Sequence, residues 1–288
     1  MKKKPIKSAK THETASTFHL DKKDIISGLE VKKGSSFFLG RYPMSAVMTV
    51  LEKKGFLREA RKRRLWPLEF DLDSSEFPPL QRLQVFLRDK KPENRVMDLK
   101  IQESALKTED LLLEDTSYSE VKMLYLQWLT LQNPLLKFSS QRPPLPGQAY
   151  PGLKLGRKIV DIFKYLARLG QDDGILAHPC YFHNALLFSR AFSFLRPEKR
   201  GEVLAIRKSF RDLPFVQLAW IIHLNCLRTA DSEVYEWKAE EQVHPMNRLL
   251  KKHFESREYK NRVEKTQKSL KFWIDWECYK KKIPTAFK

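Results

Sequence analysis

The chain has 288 residues, 42% of them hydrophobic and 31% charged, with 54 lysines and arginines against 35 acids for a formal net charge of +19. An apolar share of that size fills a real core and excludes a disordered chain, and no run reaches the roughly 18 apolar residues of a membrane helix. The cationic surplus draws polyanions in a salt-dependent way, so it suits nucleic acid, a phosphate-bearing cofactor, an acidic protein or an anionic membrane surface, or else it is a solvated surface with no partner.

Residues 1–20 are polar and Lys/Thr-rich without a period, which predicts a mobile basic tail; no apolar stretch follows Met1-Lys-Lys-Lys, so no export signal is expected. Met44 to Leu51 places Val47, Val50 and Leu51 at helical spacing, with Gly55 as the stop. A basic block follows: Arg58, Arg61, Lys62, Arg63 and Arg64. From Leu65 to Asp73 the period becomes two, with Trp66, Leu68, Phe70 and Leu72 opposite Glu69, Asp71 and Asp73, the pattern of a strand with one wet face. Leu83–Leu87 and Val96–Ile101 are two further strands around the Pro/Asn turn at 90–94, an antiparallel hairpin. A short acidic helical patch is expected from Thr108 to Glu114.

Val121 to Leu131 is apolar on both faces and predicts a central strand, with a helix as the competing reading. Gln141 to Pro151 holds four of the sixteen prolines and must be a stiff, extended connection. Beyond Gly152 and Gly156, apolar groups from Ile159 to Leu169 keep helical spacing, and Asp172-Asp173-Gly174 turns into a short strand at Ile175–Ala177. Residues 179–190 predict a second helix. The segments 192–195, 202–207 and 215–224 predict strands, and 247–282 is charged and mostly helical, docking through Phe272, Trp273 and Trp276. Cys180, Cys226 and Cys278 are odd in number and far apart, which speaks against a disulfide framework and for a reducing, cytoplasmic setting.

Strands, a long central strand, a glycine-bearing turn, a helix, a short strand, a helix and a final strand: over residues 116–210 this order resembles the GNAT-type acyl-CoA N-acyltransferases. In that family the turn after the fourth strand presents backbone N–H groups at a helix N-terminus to the pyrophosphate of acyl-CoA. Glycines let the backbone approach the anion, and aligned N–H groups favour negative charge there. Gly152-Leu153-Lys154-Leu155-Gly156-Arg157 occupies that slot, with Lys154 at the middle glycine position of the family's Gln/Arg-x-x-Gly-x-Gly/Ala turn and Pro151 at its first. A lysine backbone is not expected to take glycine's conformations, although its ammonium can reach a phosphate. Asn184 to Phe192 looks like the family's later helix, in which Phe188 stands where many members carry a general-acid tyrosine.

The resemblance implies an α/β (α+β) fold, a mostly antiparallel twisted sheet flanked by helices. A domain of that fold is expected over residues 21–225, with 226–288 a basic helical extension packed on it. The resemblance also implies transfer of an acetyl or other acyl group from CoA to an amine that the sequence does not identify. Asn184 joins residues 152–157 as a cofactor-binding candidate. The acid–base candidates are Tyr181 and His183 at the second helix and Glu103 after the hairpin, set against the commoner reading of each as a packing or solvated residue. His178, Cys180 and His183 lack the paired spacing of a zinc site, so no metal is expected. The alternative reading keeps the fold without the chemistry, as a basic module for nucleic acid or an acidic protein, with Arg58, Arg61, Lys62, Arg63 and Arg64 tracking phosphates.

Overall fold

The computed structural model describes residues 36–112 and 119–283. The expected N-terminal tail and Glu114 lie outside them. After Pro43, α1 (Met44–Lys53) buries Val47 and Leu51, and Gly55, at φ 76°, turns the chain directly into α2 (Phe56–Lys62). A left-handed φ costs glycine little and most other residues more, so this two-helix corner is written locally.

Strands β1 (Leu68–Asp73), β2 (Leu80–Leu87), β3 (Arg95–Lys107) and β4 (Glu120–Leu131) pair antiparallel in order. The expected hairpin is β2–β3, closed by the turn at 92–94. The acidic patch is a single 3₁₀ turn at Thr108–Asp110. β4 is central, as its two-sided apolarity required: β3 flanks it antiparallel and β5 (Gly174–Ala177) flanks it parallel. Between them the chain crosses over through α3 (Gly156–Leu169), whose Ile159, Ile162, Phe163 and Leu166 face the sheet. Then come α4 (Phe182–Phe188), β6 (Ser193–Phe194), α5 (Pro197–Ser209), α6 (Phe215–His223) and β7 (Leu227–Thr229). The chain closes with β8 (Gln242–Pro245), α7 (Arg248–Glu255), α8 (Arg257–Ser269), β9 (Phe272–Ile274) and α9 (Trp276–Lys282).

The sheet order is β1-β2-β3-β4-β5-β8-β6, with β4–β5 its parallel pair, and β7–β9 form a separate ribbon. The fold is therefore mixed α/β with a mostly antiparallel sheet. α1, α2 and α3 cover one face through Phe56, Leu124, Leu126, Ile159 and Phe163. α7 and α8 cover the other through Met123, Leu176, Val243, Leu250 and Tyr259. A third core, built on Phe194, Ile206, Ile221 and Leu227, joins α4, α5, α6, β7 and α9.

Three expectations are corrected. Residues 202–207 and 215–224 are helical, in α5 and α6, because their apolar runs are buried in that third core, largely against other helices, and take no place in a strand ladder. Phe272, Trp273 and Trp276 do not form one helical face: they straddle β9 and α9, leaving Trp273 and Trp276 exposed at 43% and 44%. Cys226 and Cys278 form a disulfide that fastens α9 beside β7, so the cysteine count no longer argues for a reducing setting, while Cys180 is free and exposed. The boundary expected at 225/226 also runs through a continuous sheet, since β8 lies between β5 and β6. Among the described residues no helix is long and apolar enough to cross a membrane.

Candidate functional site

β4 and β5 keep register from Met123 opposite Gly174 to Leu126 opposite Ala177; there β5 ends while β4 runs on to Leu131. β4 also bulges at this point. Lys100 faces Trp128 and Ile101 faces Leu126, so Gln127 has no partner on β3. Past the opening, the segment before α3 closes onto the end of β4: Gln132 bridges Gly152, and the Leu153 N–H donates to the Leu131 carbonyl at 3.3 Å. The parting strands leave a notch, and the start of α3 lies at its rim.

The turn into α3 is shaped for an anion. Lys154 is left-handed at φ 58° and Leu155 follows at φ −105°, ψ 11°, so successive N–H groups turn toward one side. The backbone N–H groups from Lys154 to Lys158 meet no acceptor among the described residues, and no side chain caps the helix. Those amides and the helix dipole favour negative charge. Gly156 is exposed, with nothing within 4 Å of where a Cβ would stand; Gly152 is half-buried and meets only the Leu131 carbonyl and Gln148 at ordinary contact. The conformation expected to be closed to Lys154 is the one it adopts, so the strained turn residue is a lysine rather than either flanking glycine.

Of the basic block, Arg58 comes to this rim: its guanidinium and the Lys158 ammonium both approach Gly55, 3.4 Å from where a Cβ would stand. The others are largely spoken for. Arg61 binds Glu52 at 3.0 Å and stacks on Trp66 at 4.3 Å, and Glu59 holds Lys62 and Arg63 at 3.5 and 2.6 Å. Arg64 has no acidic partner among the described residues, but one cation does not make a phosphate track.

Tyr181 and His183 lie together at the start of α4. Tyr181 opens α4, its ring stacked 5.3 Å from His183 and tilted 5.8 Å from His223. They line a cleft of about 290 Å³ with Cys180, Glu236 and Trp237. Gly147, left-handed at φ 75°, lies so close to the Tyr181 ring that a Cβ would collide with it, and the neighbouring Gln148 reaches Gly152. One short loop thus ties the aromatic cleft to the amide cradle. His183 is 2% exposed, and burial, aided by His223, lowers its pKa to about 4, so the imidazole is neutral at ordinary pH.

Asn184 sits half-buried on α4 and makes no hydrogen bond to the cradle among the described residues; Phe188 packs edge-on against Phe192 at 5.2 Å. Glu103 is not part of this assembly. It faces Leu124, toward the other end of β4, and is ion-paired with Arg41 and Lys122.

The structure brings up a different carboxylate. Ala177 of β5 faces Gln242 of β8, so the ladder's next step sets His178 opposite Glu241 where β4 and β5 part. Tyr125 of β4 faces Leu176, two rungs before His178 and therefore on the same side of the sheet. Burial raises the Glu241 carboxyl above its usual range while His178 opposes the shift, and burial with nearby Glu241 raises the Tyr125 phenol. Glu241 is 64 residues beyond Ala177 and shares no motif with it, so only strand register reveals the pairing.

No protein-family model matches the chain, and no curated protein matches it in sequence. Among solved structures it is similar to one described as a crystal structure of a bacterial toxin, at 13% identity and a TM-score of 0.27, over 40% of this chain and 59% of that one. A second, AtaT complexed with acetyl-methionyl-tRNAfMet, is similar at 12% identity and the same TM-score of 0.27, over 56% of this chain and 83% of that one.

Proposed function

We propose that the chain is an acyl-CoA-dependent N-acyltransferase, moving an acetyl or other acyl group from CoA to an amine. What carries the reading is the run of unpartnered amides from Lys154 to Lys158 at the start of α3, beside the strands that part after Leu126 and Ala177. The amides take the pyrophosphate, and Lys154, Arg157, Lys158 and Arg58 supply charge around it.

The thioester arm then lies in the notch, where the bulge at Gln127 leaves β4 backbone without a partner on β3 to polarise the carbonyl. The amine nitrogen attacks the thioester carbon, and collapse of the tetrahedral adduct breaks the C–S bond. Neutral His183 and half-buried Glu241 are the groups that accept the amine's proton, and the Tyr181 hydroxyl donates to the leaving thiolate. Holding both reactants in one notch supplies much of the acceleration.

Thermal denaturation with and without acetyl-CoA tests this. Ligand at a hundred times its dissociation constant adds about 2.7 kcal/mol, a rise in Tm of roughly 4–5 °C for a chain of this size. Gly156→Asp sets a carboxylate among the cradle amides and removes that rise while leaving the unliganded Tm within about 1 °C, since the site of its Cβ is open space. A wild-type chain indifferent to acetyl-CoA and longer acyl-CoAs sinks the reading.

A further inference from the structure

The cationic surplus is still without a purpose, because the basic block on and just after α2 is mostly paired with nearby acids. The other end of the molecule differs. Between the last turn of α5 and the β9–α9 corner lies an open cleft of about 520 Å³, lined by Phe210, Leu213, Phe272, Trp273, Ile274 and Trp276. Both tryptophans expose more than two-fifths of their surface. Two solvent-facing indoles lining one apolar floor are uncommon on a surface with no partner.

The charge around them is mostly positive, although Asp212 also lines the cleft. Arg207 and Lys208 end α5, Lys271 precedes β9, and Lys280 and Lys281 lie on the last turn of α9, with Lys280 one helical turn beyond Trp276. All five are exposed, and none meets an acid within ion-pair distance among the described residues. Arg211 adds a sixth cation, 3.5 Å from Asp212. Glu277 is the other acid in these segments, and Asp275 is held by Arg228 at 2.9 Å.

The frame is also fixed in advance. The β7–β9 ribbon sets Trp273 opposite Arg228, and the Cys226–Cys278 disulfide pins the helix that carries Trp276. Binding therefore need not first order the tryptophans.

We propose that this cleft binds single-stranded nucleic acid, with bases stacked on Trp273 and Trp276 and phosphates held by Arg207, Lys208, Arg211, Lys271, Lys280 and Lys281. Every base has a π-face, so stacking tolerates sequence, while paired bases keep their faces hidden and duplex gains only from the charge. A second copy of this chain is disfavoured by like-charged rims. The inference does not rest on the acyl-CoA reading, and each survives the failure of the other.

Fluorescence anisotropy with the full chain and a labelled 12-nucleotide oligouridylate decides it. Binding is expected at low salt and should fall steeply as salt rises. Trp273→Leu and Trp276→Leu should each weaken it about tenfold, with Phe at either position restoring part of the loss and the Tm unchanged. Lys271→Gln with Lys280→Gln should lower the logarithmic salt slope by about 0.7 per lost phosphate contact. A duplex of the same length should bind more weakly. No binding at low salt overturns the proposal, as does oligouridylate binding that ignores both tryptophan variants or equals duplex binding. Capture by anionic phospholipid vesicles without oligonucleotide binding would reassign the cleft to a membrane surface.

Discussion

His183 carries two claims at once, a buried imidazole beside Tyr181 and a neutral one. In the unfolded chain its pKa returns to about 6.5, whereas in the fold it is lowered to about 4. Between those values the unfolded state holds more protons, so stability falls as pH falls through that window and is full above it. Burial lowers His244 and His253 as well, adding the same sign. Denaturant titrations from pH 7 to pH 4 should therefore show a loss in which His183's share is about 3 kcal/mol, and His183→Gln should flatten the profile by most of that share. An unchanged pH slope in the variant would mean that the imidazole is charged or solvated in the fold.

Where elements meet, spacing along the chain gives little warning of the fit. Gly201 sits inside α5, where glycine costs about 1 kcal/mol relative to alanine. It is there because α8 crosses at backbone range: a Cβ on Gly201 would lie 2.6 Å from the Val263 carbonyl and 2.6 Å from Thr266 Cβ. Gly201→Val should force the two helices apart and cost roughly 2–3 kcal/mol, read as a lower midpoint in urea at an unchanged m-value. Gly201→Ala should fall between the two, and a neutral valine variant would show that the crossing is looser than described. The same crossing explains why residues 202–207 look like a strand in the sequence. A helix packed on its neighbours along more than one side loses the polar stripe that would announce its period.

For the molecule as a whole, the sheet order ties the residues expected as a core to those expected as a C-terminal extension. β8 comes from the C-terminal segment, yet it holds β6 to β5, and Asn247 just beyond it donates to the Asp173 carboxylate at 2.9 Å. A chain ending at residue 225 should therefore lose cooperative unfolding and expose the face now covered by α7 and α8. Circular dichroism melts and dye binding would check this, and a sharp native-like melt in the shortened chain would restore two separable units.

Read without coordinates, the chain already specifies its first half: α1, the β2–β3 hairpin, β4 as a central strand, and a glycine-flanked turn into α3 are all written in local period and turn chemistry. Local signals reach that far because each depends on neighbours within a turn or a strand. What the sequence could not disclose depends on partners far along the chain. The Glu241–His178 pairing follows from strand register. The left-handed Lys154 follows from how residues 151–153 dock on β4. The joining of Cys226 to Cys278, 52 residues apart, follows from β7 and β9 meeting as a ribbon. The two exposed tryptophans share a cleft because a strand and a helix turn a corner there, and burial and charge at that corner are properties of folded surfaces that no short stretch of sequence contains.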